Sequence, residues 1–89
     1  MRAVITVIGT DTMGIIAKVS GFLADNNINI LDISQTIMQD LFTMIMLVDL
    51  EKATMKFDSV TANLDKLAAE IGVTIRIQHE DIFNSMHKI

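Results

Sequence analysis

Residues 3 to 8, Ala-Val-Ile-Thr-Val-Ile, form a short β-branched run that stops at Gly9. A run of this kind bounded by a turn predicts a buried strand. Beyond the turn Gly9-Thr-Asp-Thr-Met-Gly14 the period changes. Ile15, Ile16, Val19, Phe22 and Leu23 fall on one stripe of a helix, with Lys18, Asp25 and Asn26 mostly elsewhere. Asp11 or Thr12 is placed to cap its free amides. Asn26-Asn27 is placed to end it, because Asn tolerates the left-handed conformation that a helix C-terminus needs.

From Ile28 to Met38 the alternation is imperfect. Ile28 and Ile30 point one way, whereas Leu31 and Ile33 predict a bulge or a change of face. Gln39-Asp40 is a polar break, and Leu41 to Leu50 is another strong strand, so the two runs predict a hairpin. Thr54 is a candidate cap for a second helix, in which Phe57, Val60, Leu64, Leu67 and Ile71 keep the 3.6-residue period. Gly72 stands where such a helix would stop. Val73, Ile75 and Ile77 then alternate with Thr74, Arg76 and Gln78, which predicts a half-exposed edge strand. Ile82, Phe83, Met86 and Ile89 make a short amphipathic helix over residues 81–89.

The order β-α-β-β-α-β plus a terminal helix predicts an α+β, ferredoxin-like fold. Right-handed crossovers put both main helices on one face of an antiparallel sheet in spatial order 4-1-3-2. Repeats, linkers and low-complexity segments are missing, so residues 1–89 read as one domain with a core over 2–79.

Composition narrows the function. The chain is 51% hydrophobic and 20% charged, which excludes intrinsic disorder. Seven Lys and Arg against eleven Asp and Glu leave a net charge of −4. That balance argues against a phosphate-backbone binder, whose affinity comes from clustered cations. The four aromatics are all Phe, too few for a base-stacking platform. No nucleic acid partner is expected. With no cysteine, disulfides, thiolate metal sites and thiol nucleophiles are excluded. The first residues lack a basic segment leading into an uninterrupted apolar one, and the apolar runs fall far short of the ~18 residues that span a bilayer. A cytoplasmic protein with no membrane partner is therefore expected. A domain this small buries only about 60–65% of its unfolded surface, yet the mean hydropathy is +0.45. Excess apolar surface points to burial against a second copy.

Chemistry at the first loop separates the remaining possibilities. A heavy-metal-binding domain of this fold would carry paired cysteines there, and an acylphosphatase an Arg for phosphate. An RNA-recognition motif would carry aromatics on its two central strands, where this chain offers only Phe42. His79 and His87 lie eight apart, the wrong spacing for one shared ion on a helix, and read as solvent-exposed residues near the terminus. Glu80 and Asp81 read as favourable charges at the start of the last helix. Met44 and Met46, beside Phe42 and Val48, read as core or dimer filler. No positioned base accompanies a nucleophile, so neither an enzyme nor a cofactor is expected.

Residues 4 to 37 resemble the ACT domain, a regulatory module that binds amino acids and similar small ligands. The carrying features are a strand running into Gly9-Thr-Asp11-x-x-Gly14-Ile15, a helix, and then Asn27-Ile-Asn29-Ile30. Phe42-Thr-Met-Ile-Met-Leu-Val-Asp49 is similar to the family's third strand, and Ile71-Gly72-Val73 to its entry into the last. More narrowly, the chain resembles free-standing small ACT proteins related to regulators of the glycine cleavage system. The resemblance implies that a ligand meets the first loop and the start of the second strand at a two-fold interface. By position that implicates Gly9, Asp11, Met13 and Gly14 from the loop and Asn29 from the strand. Asp11 would pair with an ammonium, the amides near Met13 and Gly14 with a carboxylate, and Asn29 with either. Against this, Asp11 also reads as a plain helix cap, Asn29 as a strand-end residue, and Gly9 and Gly14 as turn and packing residues. Met13 stands where the family commonly has Pro, which loosens the loop. The function expected is a homodimeric amino-acid sensor that passes its signal to a protein partner. The competing expectation is a ligand-independent assembly subunit built on the same surfaces.

Overall fold

The computed structural model describes residues 1–10 and 14–87, with side chains described through Asn84. Seven elements follow one another: β1 (Arg2–Gly9), α1 (Ile15–Asp25), β2 (Asn29–Met38), β3 (Leu41–Asp49), α2 (Phe57–Ile71), β4 (Thr74–His79) and α3 (Glu80–His87). The four strands form one sheet in the order β2-β3-β1-β4, all neighbours antiparallel. Read from the other edge this is the expected 4-1-3-2.

Residues opposite one another across a ladder share a face. Ala3, Ile5 and Val7 of β1 therefore point the same way as Val48, Met46 and Met44 of β3. These meet Ile15, Val19 and Leu23 of α1 and Val60, Leu64 and Ala68 of α2 in one core cluster. Both long helices thus cover one face. Phe42, Met44, Met46 and Val48 are at most 1% exposed, so the methionine pair is core filler. Burying a side chain of this size contributes about 1.5–3 kcal/mol. The row is the backbone of the core.

Local signals explain most boundaries. Asn27 has φ 55 and follows the α1 C-cap Asn26, as the Asn pair predicts. Gly72 caps α2 at φ 74. The register of β2 against β3 shifts between Ile30 and Asp32, so the bulge expected from the face change is centred on Leu31. At the hairpin, Gln39 adopts φ 57, a left-handed position filled without Gly.

Two local expectations are corrected. Thr54 does not cap α2: the N-cap is Lys56, with no side-chain bond. Instead Thr54 N–H donates to the Asn26 carbonyl at 3.0 Å, and its hydroxyl lies 3.3 Å from Asn26 Oδ1. The loop is tied to the end of α1 because Asn26 exposes both acceptors there. His79 is not a free solvent residue either. It ends β4 on the core side, opposite Ala3, and its ring stacks on Phe57 with centroids 4.5 Å apart. The α1 N-cap is Gly14, with no side-chain cap bond; Asp11 and Thr12 lie outside the described residues.

The terminal helix starts on Glu80 and Asp81, acidic residues suited to its N-terminus. It packs against β1 and β4, and Glu80 Oε2 accepts from Arg2 Nη2 at 2.9 Å. Val4, on the sheet face opposite the core, is only 6% exposed although it lies outside the core cluster. With α1 and α2 on the other side, α3 is the element that covers it. Of this helix's apolar positions, the Met86 side chain and Ile89 fall outside the description.

Candidate functional site

β1 delivers the chain to Gly9, which pairs with Phe42 at one end of the sheet. Gly9 is buried, and a Cβ there would stand 2.7 Å from Val73 Cγ1 and 3.4 Å from Ile15 Cδ1. Its place is a close crossing of β1 under the segment that enters β4. Packing against Val73 and Ile15 requires a glycine here. Gly14 differs. It is exposed, holds φ 79, and has open space around its Cα. Its carbonyl accepts from Lys18 N–H at 2.9 Å, opening α1. The first amides of α1 have no partner within the helix, and a helix N-terminus favours an anion. Asp11 and Met13 lie outside the described residues.

Asn29 is at the other end of the sheet. It pairs with Asp49, which pairs with Arg2, whereas Gly9 closes the same strand seven residues later. At about 3.3 Å per residue, the Asn29 level and the loop are roughly 23 Å apart. Within one chain the sequence-predicted residues do not converge. Gly9 and Gly14 share one end, and Asn29 stands alone at the other.

Around Asn29 the chain forms an open cleft of about 590 Å³, lined by Ala24, Asn27, Ile28, Asn29, Asp49, Glu51 and Lys52. That volume lies within the ~300–1,000 Å³ typical of small-molecule sites. Asp49 is partly committed: its Oδ1 accepts from Glu51 N–H at 2.9 Å and sits 3.7 Å from the terminal ammonium of Met1. Lys52 is exposed and makes no ion pair among the described residues. Two carboxylates, a free ammonium and two Asn amides in one cleft can hold both ends of a zwitterion. Sequence reading missed Asp49, Glu51 and Lys52. Their signal was visible all the same, as the first charges after the uncharged run Leu41–Val48.

Between these two ends runs β2, an edge strand ten residues long. Every residue of it except Ile30 is exposed. Leu31, Ile33, Ile37 and Met38 are large apolar residues open to solvent at 37–68%. An unpaired edge that is long and apolar templates addition of another strand.

An antiparallel sheet in this order, with both long helices on one face, defines a ferredoxin-like α+β module. The chain belongs to the ACT domain family, small-ligand-binding regulatory modules, with the family model matching residues 2–78. It is 58% identical over 89 residues, the full length of both chains, to a UPF0237 protein of Clostridium acetobutylicum. Among solved structures, an ACT domain protein from Streptococcus pneumoniae superposes with a TM-score of 0.83 at 38% identity, covering 93% of each chain. A protein assigned as a glycine cleavage system transcriptional repressor superposes at 0.77 over 86% of this chain and 45% of its own, and at 18% identity that likeness speaks for the fold.

Proposed function

We propose that this protein is a homodimeric sensor that binds an amino acid, or a small ligand of similar chemistry, between two copies and signals to a protein partner. The observation that carries the reading is the separation of Asn29 from Gly9 and Gly14, with an edge strand whose outer side is open and apolar running between them. Two β2 strands paired antiparallel run the Asn29 end of one copy alongside Met38 of the other. Met38 lies at the end of the sheet where Gly9 and the loop stand. A two-fold pair therefore completes two sites by symmetry. In each, Asn29 and the Asp49, Glu51 and Lys52 cleft come from one copy, and the α1 amides beyond Gly14 come from the other.

Such a site takes a ligand with both an ammonium and a carboxylate. Asp11, at the loop, adds a second anchor for the ammonium. Binding across the interface favours the paired state over the separate chains, which couples ligand to assembly by mass action. That change of surface is what a partner would read, in the cytoplasm and without chemistry on the ligand.

Thermal unfolding against millimolar amino acids tests this directly. A ligand at 100 times its Kd adds about 2.7 kcal/mol, a shift of several degrees for a domain of this size. Asn29→Ala and Asp11→Ala should each abolish the shift while leaving the ligand-free melting temperature nearly unchanged. A flat panel would reject the sensor and leave the ligand-independent assembly subunit.

A further inference from the structure

Of the nine large apolar residues exposed among the described residues, seven cluster on β2, the β2–β3 turn and the neighbouring sheet face; the others are Met1 and Ile82. Pairing of β2 would cover only those on its edge. Ile8, Ile45, Leu41 and Met38 lie on the side of the sheet turned away from α1 and α2, where they are 38–68% exposed. The ladder places them together. Ile8 is opposite Thr43, Ile45 is opposite Thr6 and Ser34, and Leu41 is opposite Met38. Thr36 fills the remaining position beside Thr43. Across three successive rows the one charge is Arg76, at the β4 margin. At the far end, α3 over Val4 bounds the patch.

We propose that this uncovered sheet face is a second self-association surface, on which another copy of the chain stacks sheet against sheet. The charge pattern favours a copy as the occupant. A two-fold contact sets the face against a copy of itself, so a net charge on it meets the same net charge. On a chain with net charge −4, a nearly charge-free face is where two copies meet without repulsion. Depletion of charge is also the compositional mark of an interface core. Alternating Ile and Thr are shaped for two sheets packed about 10 Å apart. The patch meets the β2 edge at Met38 and Ile37, so stacked and edge-paired copies form one assembly of four chains. Stacking itself requires neither a ligand nor β2 pairing.

Sedimentation equilibrium over a concentration series tests it, with circular dichroism to verify folding. The wild type should reach four chain masses. Ile8→Glu with Ile45→Glu should stop at two, and Ile37→Glu, on the β2 edge, should also stop at two. If the open-face variant keeps the wild-type mass while Ile37→Glu lowers it, stacking is wrong and edge pairing stands. If the open-face variant is monomeric and Ile37→Glu changes nothing, stacking stands and edge pairing falls. Should the double variant not fold, Thr43→Cys in this cysteine-free chain gives an independent reading. Its thiol should label at least tenfold more slowly at assembling than at dilute concentrations, and equal rates would overturn the proposal.

Discussion

Val73 stands so near the backbone of Gly9 that any side chain there must push it aside. The added Cβ would lie 2.7 Å from Val73 Cγ1, inside the distance that packed carbons tolerate. Gly9→Ala should therefore destabilise by about 1–3 kcal/mol, the usual cost of overpacking. Urea unfolding of Gly9→Ala, Val73→Ala and the double variant would separate the cause. If the clash is responsible, Val73→Ala recovers part of the loss, giving a coupling energy between neighbours; simple additivity would place the cost elsewhere. The same residue illustrates what a motif can conceal. Gly9 and Gly14 both belong to the loop signature, yet one is held by packing and the other by a left-handed backbone. Gly9 is buried, whereas Gly14 is exposed to solvent.

At the scale of elements, the hairpin between β2 and β3 turns through Gln39 and Asp40, with Gln39 at φ 57. A side chain in that region crowds its own carbonyl and costs roughly 1–2 kcal/mol relative to a permissive residue. Gln39→Gly should raise stability by about 1 kcal/mol, less what is lost to the greater freedom of the unfolded chain. The check is a shift in the urea midpoint with the slope unchanged. A fall in stability would mean that the Gln39 side chain anchors the turn. The polar pair Gln39-Asp40 was sufficient to locate this turn, but not to reveal its strain. Thr54 shows the opposite failure. Its spacing suggested a cap for α2, whereas the carbonyl and side chain of Asn26, twenty-eight positions earlier in the chain, captured it. Local capping rules contain no information about an acceptor brought in from another element.

The whole molecule is a plate of 35 × 35 × 19 Å, with helices on one broad face and an open sheet on much of the other. Such a shape leaves β2 with partners on one side only. If β2 pairs with its copy, folding and association are linked, and the melting temperature rises with protein concentration. We expect a rise of a few degrees over a hundredfold concentration range, and Ile37→Glu should weaken it. A melting temperature independent of concentration in the wild type would argue for a monomer. No helix among the described residues is long and apolar enough to cross a membrane.

Periodicity and turn residues alone determined the element order, the sheet order and the core. The 3.6 and 2.0 periods record which face of each element is buried, and Asn27, Gly72 and the Leu31 bulge each have a local cause. The loop motif and Asn29 were legible as residues through the resemblance to the ACT domain. Their separation was not, because spacing along a chain does not state which end of a sheet each residue reaches. Tertiary structure decided that Asn29 and Gly14 stand at opposite ends, that Asp49, Glu51 and Lys52 share a cleft with Asn29, and that His79 stacks on Phe57. Each of these depends on antiparallel register, in which residues distant in sequence become neighbours and close ones are carried apart.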